Sequence, residues 1–109
     1  MRTEQEITRS IIRHLRACDC FVFKHWSGPM SKRGVSDLLG CLPDGRMLAV
    51  EVKRLGGKPT GDQLSFIKDI QRCGGLAFIA DSVDAVKSRL DAVGVAPRQM
   101  DLFRQGVVA

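Results

Sequence analysis

The stretch Leu48-Ala49-Val50-Glu51-Val52-Lys53 can take few structures. Its apolar residues recur with period two, which predicts a β-strand. Side chains alternate across a strand, so Leu48, Val50 and Val52 share one face and Ala49, Glu51 and Lys53 share the other. A carboxylate and an ammonium therefore project the same way. Upstream lies a second apolar run, Leu38-Leu39-Gly40-Cys41-Leu42, and between the two stands Pro43-Asp44-Gly45-Arg46, a turn by its residue types. The two runs are expected to pair as a hairpin whose loop is longer than two residues. Such a hairpin brings Asp37, at the head of the first run, beside Glu51 near the end of the second. Two carboxylates and an ammonium at one end of a sheet are the parts of a divalent-cation site that activates water.

A Glu-x-Lys pair by itself is ordinary on a solvated strand face. The ordered set is more specific: Gly34-x-x-Asp37, then Glu51-x-Lys53, then Gly56-Gly57, and Gln63 just after a turn. This run resembles the PD-(D/E)xK nuclease superfamily and, within it, the VRR-NUC family, from Glu4 to about Leu90. The resemblance implies an α/β fold with a restriction-endonuclease-like α-β-β-β-α-β(-α) core, a mixed central sheet flanked by helices. It also implies a metal-dependent DNA endonuclease that uses Mg²⁺ or Mn²⁺ and leaves a 5′-phosphate and a 3′-hydroxyl. Asp37 and Glu51 would be the metal ligands, joined by the Val52 carbonyl and, directly or through water, by Glu4. Lys53 would orient the attacking water or stabilise developing charge. Gln63 gains from the resemblance a place near the metal.

The rest of the chain supplies the same order of elements. Residues 3 to 17 carry a helical stripe of Ile7, Ile11, Ile12 and Leu15, with Thr3 as N-cap. At ~100° per residue, Glu4 falls within that stripe and Glu6 nearly opposite it. Helical phase thus selects Glu4 for the early acidic residue of the family. Cys20 to Trp26 reads as the first strand, and the face with Phe21, Phe23 and His25 is expected to be the core face. A helix from Thr60 or Asp62 to about Arg72 should bury Leu64, Phe66, Ile67 and Ile70, with Cys73-Gly74-Gly75 closing it. Leu76 to Ala80 reads as a buried strand, and Ser82 opens a last helix to about Val93.

Lysine and arginine number 17 against 12 acids, a formal charge of +5, which favours a polyanionic partner. Lys24, Lys32, Arg33, Arg54 and Lys58 stand in loops and strand ends around the expected site and are candidates for DNA binding. The glycine-rich stretch at Gly56-Gly57-Lys58 lacks the order of a phosphate-binding nucleotide loop. Cys18-Asp19-Cys20 lacks the gap of a zinc knuckle, so Cys18, Cys20, Cys41 and Cys73 are expected to be reduced and mostly buried. No apolar run approaches the roughly 20 residues of a membrane span and no signal peptide is evident. The expectation is a cytoplasmic protein, bacterial or phage-encoded, with no membrane partner.

One domain is expected over residues 1–94, with a tail over 95–109. A chain this small carries no helix-turn-helix or zinc finger, so sequence-specific reading is not expected. Free-standing members of the resembled family are associated with branched DNA, which implies a role in repair or recombination, and symmetric cutting of a four-way junction requires a homodimer. In the tail, Gln99-Met100-Asp101-Leu102-Phe103 resembles the peptide by which bacterial proteins dock on the replicative sliding clamp, with Gln99, Leu102 and Phe103 as its contacts. The alternatives are a non-catalytic DNA-binding module on a nuclease-like fold, or a clamp-recruited nickase.

Overall fold

The computed structural model describes residues 2–98. The clamp-like peptide, with Gln99, Leu102 and Phe103, lies outside the described residues. The elements are α1 (Glu4–Ala17), β1 (Phe21–Lys24), β2 (Leu38–Cys41), β3 (Met47–Val52), α2 (Gly61–Arg72), β4 (Leu76–Ala80) and α3 (Val83–Asp91). This is the expected order. The sheet runs β1-β2-β3-β4, with β1/β2 and β2/β3 antiparallel and β3/β4 parallel. The parallel pair requires a crossover, and α2 supplies it.

Capping starts each helix where the sequence predicts. The hydroxyls of Thr3, Thr60 and Ser82 accept from the backbone N–H groups of Glu6, Gln63 and Ala85. Along α1, Ile7, Ile11 and Leu15 are buried as expected, whereas Ile12 is only half-buried.

The two faces of β3 build the two halves of the core. Leu48, Val50 and Val52 join Val22, Leu38 and Phe78 beneath α1 and α3. Ala49 and Ala77 meet Ile67 and Ile70 of α2 on the other side. In α2, Phe66 is half-buried and Leu64, expected inward, is exposed. Burial of ~25 cal/mol per Å² of apolar surface on both faces explains why β3 tolerates so little polarity. Its one charged residue, Glu51, is nevertheless 2% exposed.

The structure reverses the expected faces of β1. Phe21 and Phe23 are 63% and 45% exposed, while Val22 is 4% exposed and Cys20 is also buried. The reason is the layout of layers. Helix α1 covers the Val22 face of this edge strand, but α2 packs on β3 and β4 and reaches only Leu39 of β2, so that among the described residues the rest of the other face of β1 and β2 is largely bare. Cross-strand register lines Phe21, Cys41 and Met47 along that bare face, with Phe23 and Leu39 beside them.

All four cysteines are free: Cys18 and Cys20 buried, Cys41 half-buried, Cys73 exposed. Residues 95–98 fold back on the domain, the Val95 N–H donating to Leu90 O at 2.9 Å and the Arg98 N–H to Ala17 O at 3.0 Å. Among the described residues, no helix is long and apolar enough to cross a membrane.

Candidate active site

Strand directions gather the chemistry at one end of the sheet. The end of β1, the start of β2 and the ends of β3 and β4 all meet there. Two loops flank this end, residues 25–37 between β1 and β2 and residues 53–60 between β3 and α2.

Asp37 immediately precedes β2 and is fixed at two atoms. Its Oδ2 accepts from the Val52 N–H at 2.9 Å, and its carbonyl accepts from the His25 N–H at 2.8 Å. The expected juxtaposition follows, because Glu51 is the residue before Val52 and its carboxyl lies within hydrogen-bonding reach of Asp37. Burial, the hydrogen bond to Asp37 and the Asp37 charge together push the Glu51 carboxyl up to about 8, and Lys53 partly opposes them. The Lys53 Nζ lies 3.8 Å from Glu51 Oε2.

Gln63 joins the same carboxylate. Its Nε2 donates to Glu51 Oε2 at 3.3 Å, while its Oε1 accepts from the Thr60 N–H at 2.9 Å. The reciprocal Thr60–Gln63 capping box thus aims the amide. The Thr-x-x-Gln spacing is the sequence signal that identifies this box, and through it the orientation of Gln63.

Glu4 is exposed in the first turn of α1. It is near enough for its charge to raise the Glu51 pKa. Among the described residues no three His, Cys, Asp or Glu side chains form a metal-holding group, so Glu4 is not drawn into contact with the pair. The two carboxylates nevertheless fit a hard cation. Glu51 Oε1 is buried and receives no N–H or hydroxyl donor, so the meeting with Asp37 is one carboxyl against another, an arrangement that a cation would satisfy in place of a proton. Magnesium in particular is commonly held by one or two carboxylates with water and substrate phosphate completing its shell.

Four of the five candidate DNA-binding cations, Lys24, Arg33, Arg54 and Lys58, stand on the strand end and loops at this end, whereas the Lys32 side chain runs along α2 and lines a pocket with Arg46, Met47 and Cys73 at the opposite end of the sheet. Lys24 is half-buried at the end of β1, and Lys32, Arg33, Arg54 and Lys58 are exposed on the two loops. None of them pairs with an acid among the described residues. Their charge is therefore available to a phosphate backbone.

Gly34 has a role that motif spacing leaves unstated. Its φ is +76°, and a Cβ there would stand 2.3 Å from the Asp62 carbonyl carbon and oxygen. The loop that delivers Asp37 thereby rests directly on the first turn of α2, which delivers Gln63. Sequence reasoning also passed over Ser36, fully buried beside Asp37 with its Oγ unpartnered. A lone serine in a loop gives no signal of such burial.

A mixed sheet between helices, with a hairpin that places Asp and Glu-x-Lys at one end, defines a nuclease of the restriction-endonuclease-like class. The VRR-NUC domain model matches residues 3–84, and the chain belongs to that family. VRR-NUC domains are nuclease domains that act on DNA with a divalent metal ion. A solved structure described as a VRR_NUC domain is similar at 27% identity and a TM-score of 0.67, covering 81% of this chain and 94% of that one. A second, a VRR_NUC domain protein, shares the fold at 20% identity and a TM-score of 0.64, covering 83% and 86% of the two chains. No curated protein matches the chain in sequence.

Proposed function

We propose that the chain is an Mg²⁺- or Mn²⁺-dependent endodeoxyribonuclease that cuts branched DNA as a homodimer in repair or recombination. The observation that carries this reading is the half-buried Asp37 beside the buried Glu51, whose Oε1 receives no N–H or hydroxyl donor, with Lys53 Nζ 3.8 Å from the same carboxylate. A protein that only binds DNA has no need of two acids facing phosphate.

A bound Mg²⁺ or Mn²⁺ supplies Lewis acidity toward the phosphate and a lowered pKa for water. Asp37 and Glu51 would hold it, joined by the Val52 carbonyl and, directly or through water, by Glu4. The Val52 N–H fixes one Asp37 oxygen and leaves the other to act. Gln63 steadies Glu51 Oε2. The Lys53 ammonium orients the attacking water and stabilises charge developing on the phosphorus oxygens. Lys24, Arg33, Arg54 and Lys58 grip the flanking phosphates, which fixes position without reading sequence; Lys32, turned toward the far end of the sheet, is not placed to join them.

The bare face of β1 and β2 supports the dimer. Phe21, Phe23 and Met47 are exposed on it with Leu39 and Cys41 between them, and a self-complementary apolar face suits a twofold interface. The peptide Gln99 to Phe103 supports a further partner, a bacterial sliding clamp that receives Leu102 and Phe103 in an apolar pocket and Gln99 at its edge.

Incubation of the purified chain with supercoiled plasmid tests the activity. Nicks should form with Mg²⁺ or Mn²⁺ and not with EDTA, and ligase should reseal them because the ends are 5′-phosphate and 3′-hydroxyl. Binding without nicking under every metal condition would establish the non-catalytic module instead.

A further inference from the structure

Among the described residues, the three most exposed large hydrophobic side chains are Met30, Leu55 and Trp26, at 98%, 81% and 76%. Leu55 lines a cleft with Arg2, Ile7, Asp81 and Ser82 beside β4, and Met30 lies two residues before Lys32, which reaches the far end of the sheet; Trp26 alone of the three adjoins a residue bonded to Asp37. A flat exposed indole at the mouth of a site for a polyanion finds its broadest apolar counterpart in the face of a base. In duplex DNA those faces are covered by their neighbours, and an unpaired base presents one.

Trp26 is placed to meet it. It follows His25, whose N–H bonds the Asp37 carbonyl at 2.8 Å. One residue step of 3.8 Å added to one antiparallel pair spacing puts the Trp26 Cα within about 10 Å of the Asp37 Cα. That span corresponds to roughly three nucleotides at ~3.4 Å each. The Lys24 ammonium stands 4.5 Å from the centre of the indole ring. It occupies one face by a cation–π contact and offers its charge to a phosphate. The opposite face is left for a base.

We propose that Trp26 stacks on an unpaired nucleobase beside the scissile phosphate, so that the site selects DNA with an unpaired nucleotide near the cut. The inference rests on the nuclease reading above and deepens it by naming how branched or interrupted DNA is told from plain duplex. Stacking accepts any base, which gives selectivity for structure without selectivity for sequence.

The composition makes the test direct, since Trp26 is the single tryptophan and the chain has no tyrosine. Tryptophan emission of the full chain is titrated in EDTA, where cleavage is blocked, with a paired hairpin duplex and with the same duplex carrying a three-nucleotide gap. Anisotropy of labelled DNA follows binding in parallel. The gapped DNA should quench emission saturably at the concentrations at which it binds, and the paired duplex should not. Trp26→Ala should reduce affinity for gapped DNA by between about five- and a hundredfold, the range of one lost base stack. Trp26→Phe should keep most of the preference. Binding of gapped DNA with unchanged emission, or equal preference in Trp26→Ala, would overturn the stacking and leave the nuclease reading standing. No binding of either DNA would overturn both.

Discussion

Burial of Glu51 beside Asp37 lifts its pKa to about 8 from an ordinary 4.5, which ties stability and metal affinity to pH in opposite ways. In metal-free protein the folded state holds a proton that the unfolded state releases near pH 4.5. Its stabilising contribution is whole below that value, shrinks as pH rises toward about 8, and is lost above it. Glu51→Gln, which keeps the hydrogen-bonding shape without the charge, should therefore raise the melting temperature in EDTA at about pH 8.5 by several degrees. It should also abolish the further rise that Mn²⁺ gives the native chain. A divalent cation takes the ionised form, so its affinity should climb by up to about tenfold per pH unit between pH 6 and 8 and then level off, as read by calorimetry. Gly34 carries a different constraint at the same scale. With φ at +76° and the Asp62 backbone 2.3 Å from any Cβ, Gly34→Ala should cost more than the ~1–2 kcal/mol of left-handed backbone alone, measured by urea unfolding. Cleavage should fall with it, because the loop carrying Asp37 has to move.

Helix α2 shows how an element can hold a site together from its first turn. Thr60 and Gln63 cap each other, and the same glutamine amide bonds Glu51 Oε2. Thr60→Ala should cost about 1 kcal/mol of stability. Gln63→Ala should cost a similar amount and slow cleavage about tenfold besides, since it removes a hydrogen bond to a charged group. Single-turnover nicking beside thermal melts separates the two effects. The elements themselves were legible in the chain because local signals agreed: period-two apolar residues in β3, the turn residues at Pro43 to Arg46, and hydroxyl caps at Thr3, Thr60 and Ser82. The Asp37–Glu51 meeting was legible for the same reason, since a hairpin register follows from its turn. The inward face of β1 was not. Phe21, Val22 and Phe23 alternate as apolar residues on both faces, and the choice between faces depends on where α1 and α2 come to lie, which no residue of β1 encodes. The burial of Glu51 was equally hidden, because a Glu-x-Lys pair reads as solvated until a second layer is known to cover it.

At the scale of the whole molecule, the proposed function gives the apolar face and the +5 charge different partners, a second copy and DNA. Sedimentation at micromolar concentration should give a dimer, and Phe21→Asp with Phe23→Asp a monomer that nicks DNA but no longer cuts a four-way junction symmetrically. A monomeric native chain, free and on junction DNA, would remove symmetric junction cutting and leave a nickase. In the proposed reading, charge and fold together bring DNA to the end of the sheet where Asp37, Glu51 and Lys53 stand. The proposed cleavage turns on those three side chains. Plasmid nicking in Mg²⁺ or Mn²⁺ by native chain, Asp37→Ala and Lys53→Ala, each shown folded by circular dichroism, is the measurement that tests it most directly. Nicking by the native chain and none by either variant is the expected result; undiminished nicking by folded Asp37→Ala would contradict it.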